Sequence, residues 1–251
     1  MAKDLSIVVP AYNERERLGA SVVTILEYLS TRDLDAELVI VDDGSSDDTS
    51  DIARREAAKF PDISTNIIRY EQNRGKGYAV KTGLMAAQSD LALFSDADLS
   101  SPIDEMDKLL DPIRSGRYDV TFGSRALDRS LIGTHQPWRR EQGGRIMNLI
   151  IRTMSGLKFA DTQCGFKAFD LKRFRPLLDV MTVDRFGFDV EFLFVAAYHQ
   201  LRLAEIPVRW NDVAGSKVSV FRDTRRMISE LAQIRRNRRH KIYDKITRNQ
   251  V

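Results

Sequence analysis

The stretch AELVIVDDGSSDDTSDIARREAAKF, residues 36–60, decides the fold class. It opens as an apolar, β-rich run and ends that run in two acids, Asp42 and Asp43. Ser45, Ser46 and Asp47 follow as N-cap candidates, since short polar side chains accept hydrogen bonds from the free N–H groups of a first helical turn. From residue 47 to 59 the apolar residues recur at helical spacing. Strand, acidic turn and capped helix in one short span make a β-then-α unit. The unit repeats through the first half. LSIVVP (5–10), NIIRY (66–70), LALFSDAD (91–98) and YDVTFGS (118–124) read as strands, with helical patterns over 14–31, 76–88 and 104–115. Strands alternating with helices imply a mostly parallel sheet covered on both faces, an α/β fold.

The pattern loosens after residue 125. RREQGGRIMNLIIRTMSGL (139–157) predicts a helix, DTQCGFKAFD (161–170) a loop, FGFDVEFLFVAAYHQ (186–200) a helix whose apolar stripes belong to the core, and LAEIPVRW (203–210) a short strand. There is no internal repeat, low-complexity tract or Gly/Ser linker. One continuous domain over 1–221 is expected, with a basic tail at 222–251.

Composition sets outer bounds. The 251 residues are 43% hydrophobic and 30% charged, enough for one sizeable core in an ordinary water-soluble chain. No run of about 18 uncharged apolar residues offers a membrane span. MAKDLSIVVP is too short an apolar stretch for a signal peptide, and the single cysteine, Cys164, excludes an intrachain disulfide. A cytoplasmic location is expected, with Cys164 a small packed side chain. The net charge of +3 hides an asymmetry: from Arg222 onward there are ten Lys/Arg against three Asp/Glu. Such a tail suits an anionic surface, either nucleic acid or lipid. It carries no interleaved aromatic residues beyond Tyr243, so no nucleic-acid partner is expected. Met227, Ile228, Leu231, Ile234, Ile242 and Ile246 recur at helical spacing, which fits either packing on the body or an interfacial helix on anionic lipid.

The chemistry gathers at strand ends, where ligands of open α/β sheets sit. Asp96 and Asp98 flank one residue at the end of LALFSDAD. Like charges so close call for a positive partner, and two carboxylates suit a divalent cation with room for waters and phosphate oxygens. VVPAYNE (8–14) ends the first strand, NRGKG (73–77) places Arg74 and Lys76 between glycines at a helix start, and FGSR (122–125) ends a strand in Arg125. Carboxylates near cations suit a metal and a phosphorylated ligand. NRGKG lacks the spacing of a P-loop, no G-x-G-x-x-G follows the first strand, and the three histidines are scattered.

In this order, PAYNE, VDDGSSDDT, NRGKG, DADLS and GSR resemble the GT-A fold of the family-two inverting glycosyltransferases. DTQCGFKAF (161–169), FGFDVEFL (186–193), EIPVRW (205–210) and GSKV (215–218) resemble the dolichyl-phosphate β-glucosyltransferase branch and its polyprenyl-phosphate relatives. The resemblance spans residues 5 to 240. It implies a nucleotide-sugar half over 1–125, an acceptor half over 126–221, and a peripheral place on the cytoplasmic face of the membrane. It implies that Pro10, Tyr12, Glu14 and Asp42, with Asp43 beside it, meet the nucleotide, and that Asp96 and Asp98 bear on Mg²⁺ or Mn²⁺. Lys76 and Arg125 would meet the donor or its phosphates. Gln163 and Lys217 are assigned to substrate binding, and Arg139, Arg140 or Arg145 to the acceptor phosphate. Asp98, Arg125 and Asp189 form the catalytic set, Asp189 as a group that orients acceptor or sugar. Mannosyltransferase relatives often carry a Gln two residues after the second Asp; Ser100 stands there instead.

UDP-glucose as donor and a polyprenyl or dolichyl phosphate as acceptor are the reading the resemblance favours. The alternatives are a GDP-mannose-dependent polyprenyl-phosphate mannosyltransferase, a glycosyltransferase acting on a hydroxyl, and a nucleotide-sugar-binding module without transfer activity.

Overall fold

The computed structural model describes residues 3–134, 138–213 and 220–246, without the side chains of 138–141 and 220–224. The first half alternates as expected: β1 (Leu5–Ala11), α1 (Leu18–Ser30), β2 (Ala36–Asp42), α2 (Thr49–Ala57), β3 (Ser64–Arg69), α3 (Lys76–Ala86), β4 (Leu91–Ser95), α4 (Met106–Arg114) and β5 (Val120–Ser124). Beyond it come α5 (Trp138–Ser155), β6 (Phe166–Asp170), α6 (Leu171–Leu178), α7 (Phe188–Tyr198), β7 (Leu203–Pro207) and α8 (Val220–Arg239). The strands form one sheet in the order β3-β2-β1-β4-β6-β5-β7. β6 is antiparallel to both β4 and β5, whereas every other pairing is parallel.

Strand alternation divides the core in two. Ile7, Val9, Leu38, Ile40 and Leu93 point to one face and meet Leu18, Leu26 and Leu109 of α1 and α4. Val8, Val39, Val41 and Phe94 point to the other, against Val80, Phe174, Phe188 and Phe192. Each such side chain, fully buried, contributes about 1.5–3 kcal/mol of transfer free energy.

One expectation is corrected, and one of the two readings left open for the tail is favoured. DTQCGFKAFD is not wholly loop: its second half is β6, and α6 follows, with the Asp170 carboxylate capping it by accepting from the Lys172 N–H at 3.1 Å. Lys167 in mid-strand hides the pattern, for a fully buried ammonium breaks an apolar alternation. The apolar stripe of the tail is also not available to lipid. Met227, Leu231 and Ile234 of α8, with Tyr243 and Ile246 beyond it, are buried in the same cluster as Phe94 and Phe188. Of that stripe Ile228 stays 40% exposed. No helix among the described residues is long and apolar enough to cross a membrane.

The direction of β6 positions the site. The carboxyl ends of β1, β2, β4, β5 and β7 lie on one edge of the sheet. Because β6 runs the other way, its amino end brings Asp161–Gly165 to that same edge.

Candidate active site at the carboxyl edge of the sheet

Two cavities open along this edge. The first, about 440 Å³, is lined by Pro10, Tyr12, Glu14, Arg17, Asp43, Lys76, Asp96 and Asp98, with Arg185, Phe186 and Arg226 opposite. Its floor depends on the acids that end β2. Asp43 accepts from the backbone N–H groups of Arg74 and Gly75, both at 2.8 Å, and from Asn73 Nδ2 at 2.8 Å. Burial raises the Asp43 pKa even against those donors. Gly75, at φ +115°, passes so close to Asp184 that a Cβ would lie 2.4 Å from its carbonyl oxygen, so the loop into α3 needs glycine there. The expected role of Asp42 is not met in this geometry. Its fully buried carboxylate accepts from the Ser45 N–H at 2.9 Å and from Ser50 Oγ, so it holds the turn rather than facing the cavity.

Asp96 and Asp98 meet their positive partners here. Lys76 Nζ lies 2.5 Å from Asp96 Oδ1, and Arg17 Nη1 lies 3.9 Å from Asp98 Oδ2 while also pairing with Glu14 at 2.6 Å. Behind Lys76, Asp189 sits 5% exposed, with Lys167 Nζ 2.5 Å from its Oδ1. Lys167 also donates to the Cys164 carbonyl at 2.5 Å. Charges therefore alternate from Asp96 through Lys76 and Asp189 to Lys167. Burial pulls the Lys76 pKa down, but Asp96, Asp189 and Asp98 outweigh it and hold the ammonium above its ordinary value. Burial raises Asp189 more than Lys167 and Lys76 lower it. Asp189 lines neither cavity; what it meets on this side is Lys167, by contact, and Lys76, by charge.

The donor set fits a hard divalent cation shared with a diphosphate. Among the described residues no cluster of three or more His, Cys, Asp or Glu is poised to hold a metal by itself. Two carboxylates on one turn suit the Mg²⁺-type arrangement, in which the protein gives one or two oxygens and phosphates and waters give the rest. Gly165 packs against that turn: a Cβ there would lie 2.0 Å from Asp96 Oδ2. Ser100 steadies the motif through its backbone: its N–H donates to Asp98 Oδ1 at 3.0 Å.

The second cavity, about 400 Å³, is lined by Arg125, Arg129, Arg145, Asn148, Asp161, Gln163 and Trp210 among others. Arg125 is clamped bidentate on Asp161, Nε to Oδ2 at 2.6 Å and Nη2 to Oδ1 at 2.8 Å. Asp161 is itself placed by Glu205, which accepts from the N–H groups of Ala160 and Asp161 and from Ser124 Oγ. Burial works against the Asp161 carboxylate, yet Arg125 overrides it and holds its pKa below the ordinary range. Cys164 is buried nearby, and burial pushes its thiol up to about 11, as befits a packed, unreactive side chain.

Gln163 and Arg145 thus stand on the second cavity, and so does Arg125, expected at the donor. Arg139 and Arg140 fall on α5, but their side chains lie outside the described ones, and Lys217 lies outside the described residues altogether. The sequence reading missed Arg17, Arg185, Arg226, Asp161 and Trp210. Arg17 was signalled by its nearness to PAYNE, and Asp161 by opening DTQCGFK. Arg185 and Arg226 carried no signal, since only the packing of α7 and α8 brings them to the cavity.

Comparison with known proteins agrees with this arrangement. Residues 6–175 match the model of glycosyl transferase family 2. The chain is 31% identical over 241 residues to a dolichyl-phosphate beta-glucosyltransferase of Dictyostelium discoideum, covering 92% of this chain and 73% of that protein. It is 32% identical over 245 residues to the human protein of that name, covering 93% and 75%. Crystal structures of glucosyl-3-phosphoglycerate synthase from Mycobacterium tuberculosis share the fold: one bound to phosphoglyceric acid has a TM-score of 0.67 at 21% identity, over 92% of this chain and 80% of that one. Another holds Mn²⁺, UDP-glucose and phosphoglyceric acid, with a TM-score of 0.66 at 22% identity over 92% and 79%. A GT-A sheet with its acids and cations gathered on one edge, matched along most of its length, makes this chain a member of glycosyl transferase family 2, related to the dolichyl-phosphate beta-glucosyltransferases.

Proposed function

We propose that this protein transfers glucose from UDP-glucose to a dolichyl or other polyprenyl phosphate, inverting the anomeric centre, at a membrane surface. The names of its relatives support glucose and dolichyl phosphate, and UDP-glucose is what a structural neighbour binds. The observation that carries the choice of acceptor is the state of Asp161. It is the one carboxylate among the described residues lining the second cavity, and Arg125 holds it ionised and clamped. A hydroxyl acceptor needs a base to take its proton, and a carboxylate clamped by a guanidinium, with its pKa lowered, is a poor one. A phosphate monoester needs none, because its second pKa near 6 leaves it largely ionised at pH 7.

The first cavity is then the donor site and the second the acceptor site. Pro10 and Tyr12 flank the nucleotide, Asp43 holds the loop that presents Lys76, and Arg17 and Arg185 add positive charge around the diphosphate. Arg129 and Arg145 bring cations to the lipid phosphate, with Gln163 beside them. A phosphate oxygen attacks C1 of the glucose, a new C1–O bond forms, and the bond to the β-phosphate of UDP breaks, its electron pair leaving with UDP. Asp96 and Asp98 would hold Mg²⁺ or Mn²⁺, which when bound supplies positive charge against the departing diphosphate. Lys76 can share that work, since its ammonium is held charged. Asp189 and Lys167 are positioning residues for Lys76. Residues 126–213 contribute most of the acceptor wall, and α8 adds Arg226 to the donor side.

Purified protein should be offered UDP-glucose or GDP-mannose with polyprenyl phosphate or polyprenol, with product resolved by mass spectrometry. UDP-glucose with polyprenyl phosphate should give the glucosyl phosphate lipid. Transfer to polyprenol with the phosphate inert, or use of GDP-mannose alone, would refute the reading.

A further inference from the structure

α5 presents three sides, and only two have work in the description above. At about 100° per residue, Gly144, Arg145 and Asn148 fall on the side that lines the acceptor cavity. Met147, Ile150 and Met154 fall on the side packed against the core. The third side carries Ile146, 62% exposed, and Leu149, 64% exposed, the two most exposed large apolar side chains described. Arg145 and Arg152 edge this strip, both exposed, and Thr153 completes it. Leu127, 49% exposed, stands next to Ala126 of the cavity wall and adds a further apolar side chain near its mouth.

Large aliphatic side chains held in water beside arginines have the composition of a surface that meets anionic lipid, apolar groups entering the interface and guanidiniums meeting phosphates. The position on the fold strengthens this. The helix that walls the acceptor cavity on one side offers the apolar strip on the adjoining side, so one orientation serves both. We propose that the outer face of α5, and not the apolar stripe of α8, is the surface on which the protein docks to an anionic bilayer. Docking there sets the acceptor cavity at the headgroup level, where a lipid phosphate can enter without leaving the membrane. This inference rests on the lipid-phosphate reading of the acceptor site, and the test separates the two.

The test compares wild type with Ile146→Ser/Leu149→Ser and with Arg152→Glu, by co-sedimentation with phosphatidylcholine vesicles made with or without phosphatidylglycerol as the anionic lipid. Wild type should bind the anionic vesicles well above the neutral ones. Each variant should lose about tenfold or more in partitioning, as expected for removing buried apolar area or inverting a contact charge. Transfer to a short-chain, water-soluble polyprenyl phosphate should be unchanged in both variants, showing that fold and site are intact. Unchanged partitioning of both variants would overturn the proposal. So would a wild-type dimer, seen by analytical ultracentrifugation, that the double serine variant dissolves, since a second copy would then be the occupant. If the protein binds vesicles through this face but never glucosylates the soluble phosphate lipid, the acceptor reading fails and the docking surface stands.

Discussion

Replacing Lys167 by Met tests whether the charges behind the first cavity form a working chain. The ammonium is fully buried and its two acceptors are the Cys164 carbonyl and Asp189, whose side chain is 7% exposed. Removing the cation takes away the ammonium that contacts the carboxylate, leaving it almost no water and only Lys76 as a positive neighbour, a loss that costs about 3 kcal/mol or somewhat more. For a chain of this size, each kcal/mol lowers the melting temperature by about 2–4 °C, so a fall of roughly 6–20 °C is expected. The deficit should depend on pH. Burial already raises the Asp189 pKa, and without Lys167 that rise is less opposed. A carboxyl whose folded pKa exceeds its unfolded one favours folding while protonated. The variant's deficit should therefore be smallest in acid and grow as pH rises from the unfolded value through the folded one. Urea denaturation of wild type, Lys167→Met and Lys167→Met/Asp189→Leu at pH 5 and pH 8 measures this. The double variant should regain most of the loss, because apolar replacement of both partners removes the stranded charge. A single-variant loss under about 1 kcal/mol, well below the stranded-charge range, equal at both pH values, or a double variant no better than the single, would refute the reasoning.

Three further outcomes follow from the geometry. Gly165→Ala puts a methyl 2.0 Å from Asp96 Oδ2, so kcat/KM should fall about a hundredfold with a small change in melting temperature, read against Mn²⁺ concentration. Arg125→Met should cost about 2 kcal/mol near neutral pH, reduced from the buried-pair value because the guanidinium is partly exposed. Since Asp161 has a lowered pKa, the pair's contribution is present above 3.8 and lost as pH falls through the folded value, so wild-type and variant stabilities should converge in strong acid. Tyr243→Phe removes the phenol that donates to buried Glu191 at 2.7 Å, a hydrogen bond worth about 0.5–1.5 kcal/mol and more where it leaves the carboxyl unsatisfied, and calorimetry should show the loss.

What could be read from sequence was whatever the local period and the strand-end chemistry carry. Residues 36–60 gave strand, turn and helix, and the acids of PAYNE, DD and DAD all came to the one edge a parallel sheet provides. The misreadings share a cause. β6 was hidden because Lys167 is charged where the pattern asks for an apolar residue, and only a distant Asp189 makes that tolerable. Asp42 and Asp43 are adjacent and chemically identical, yet strand alternation sends the first into the turn and the second to the cavity. The tail read as a separable basic helix because its arginines are local, whereas its contacts with α7 and the core are not. Arg226 reached the first cavity by the same long-range packing.

The reversal of β6 has a consequence for how such a protein diversifies. Since β5 leaves the sheet and β6 re-enters it on the same edge, everything from Ala126 to Ala160 is an excursion that starts and finishes at neighbouring points. The pairing of Arg125 with Asp161 closes it like a clasp. Loop-closure entropy grows slowly, about 0.6 kcal/mol for each doubling of length, so the exposed turns of this excursion can be lengthened at little cost as long as Met147, Ile150, Ile151 and Met154 keep their place on the core. On the proposed function, a chimera that replaces the exposed parts of residues 126–160 and keeps the clasp and the core side of α5 would change the acceptor while leaving the acids at the ends of β1, β2 and β4 as they are. On that proposal, the reversed strand makes the acceptor half a cassette.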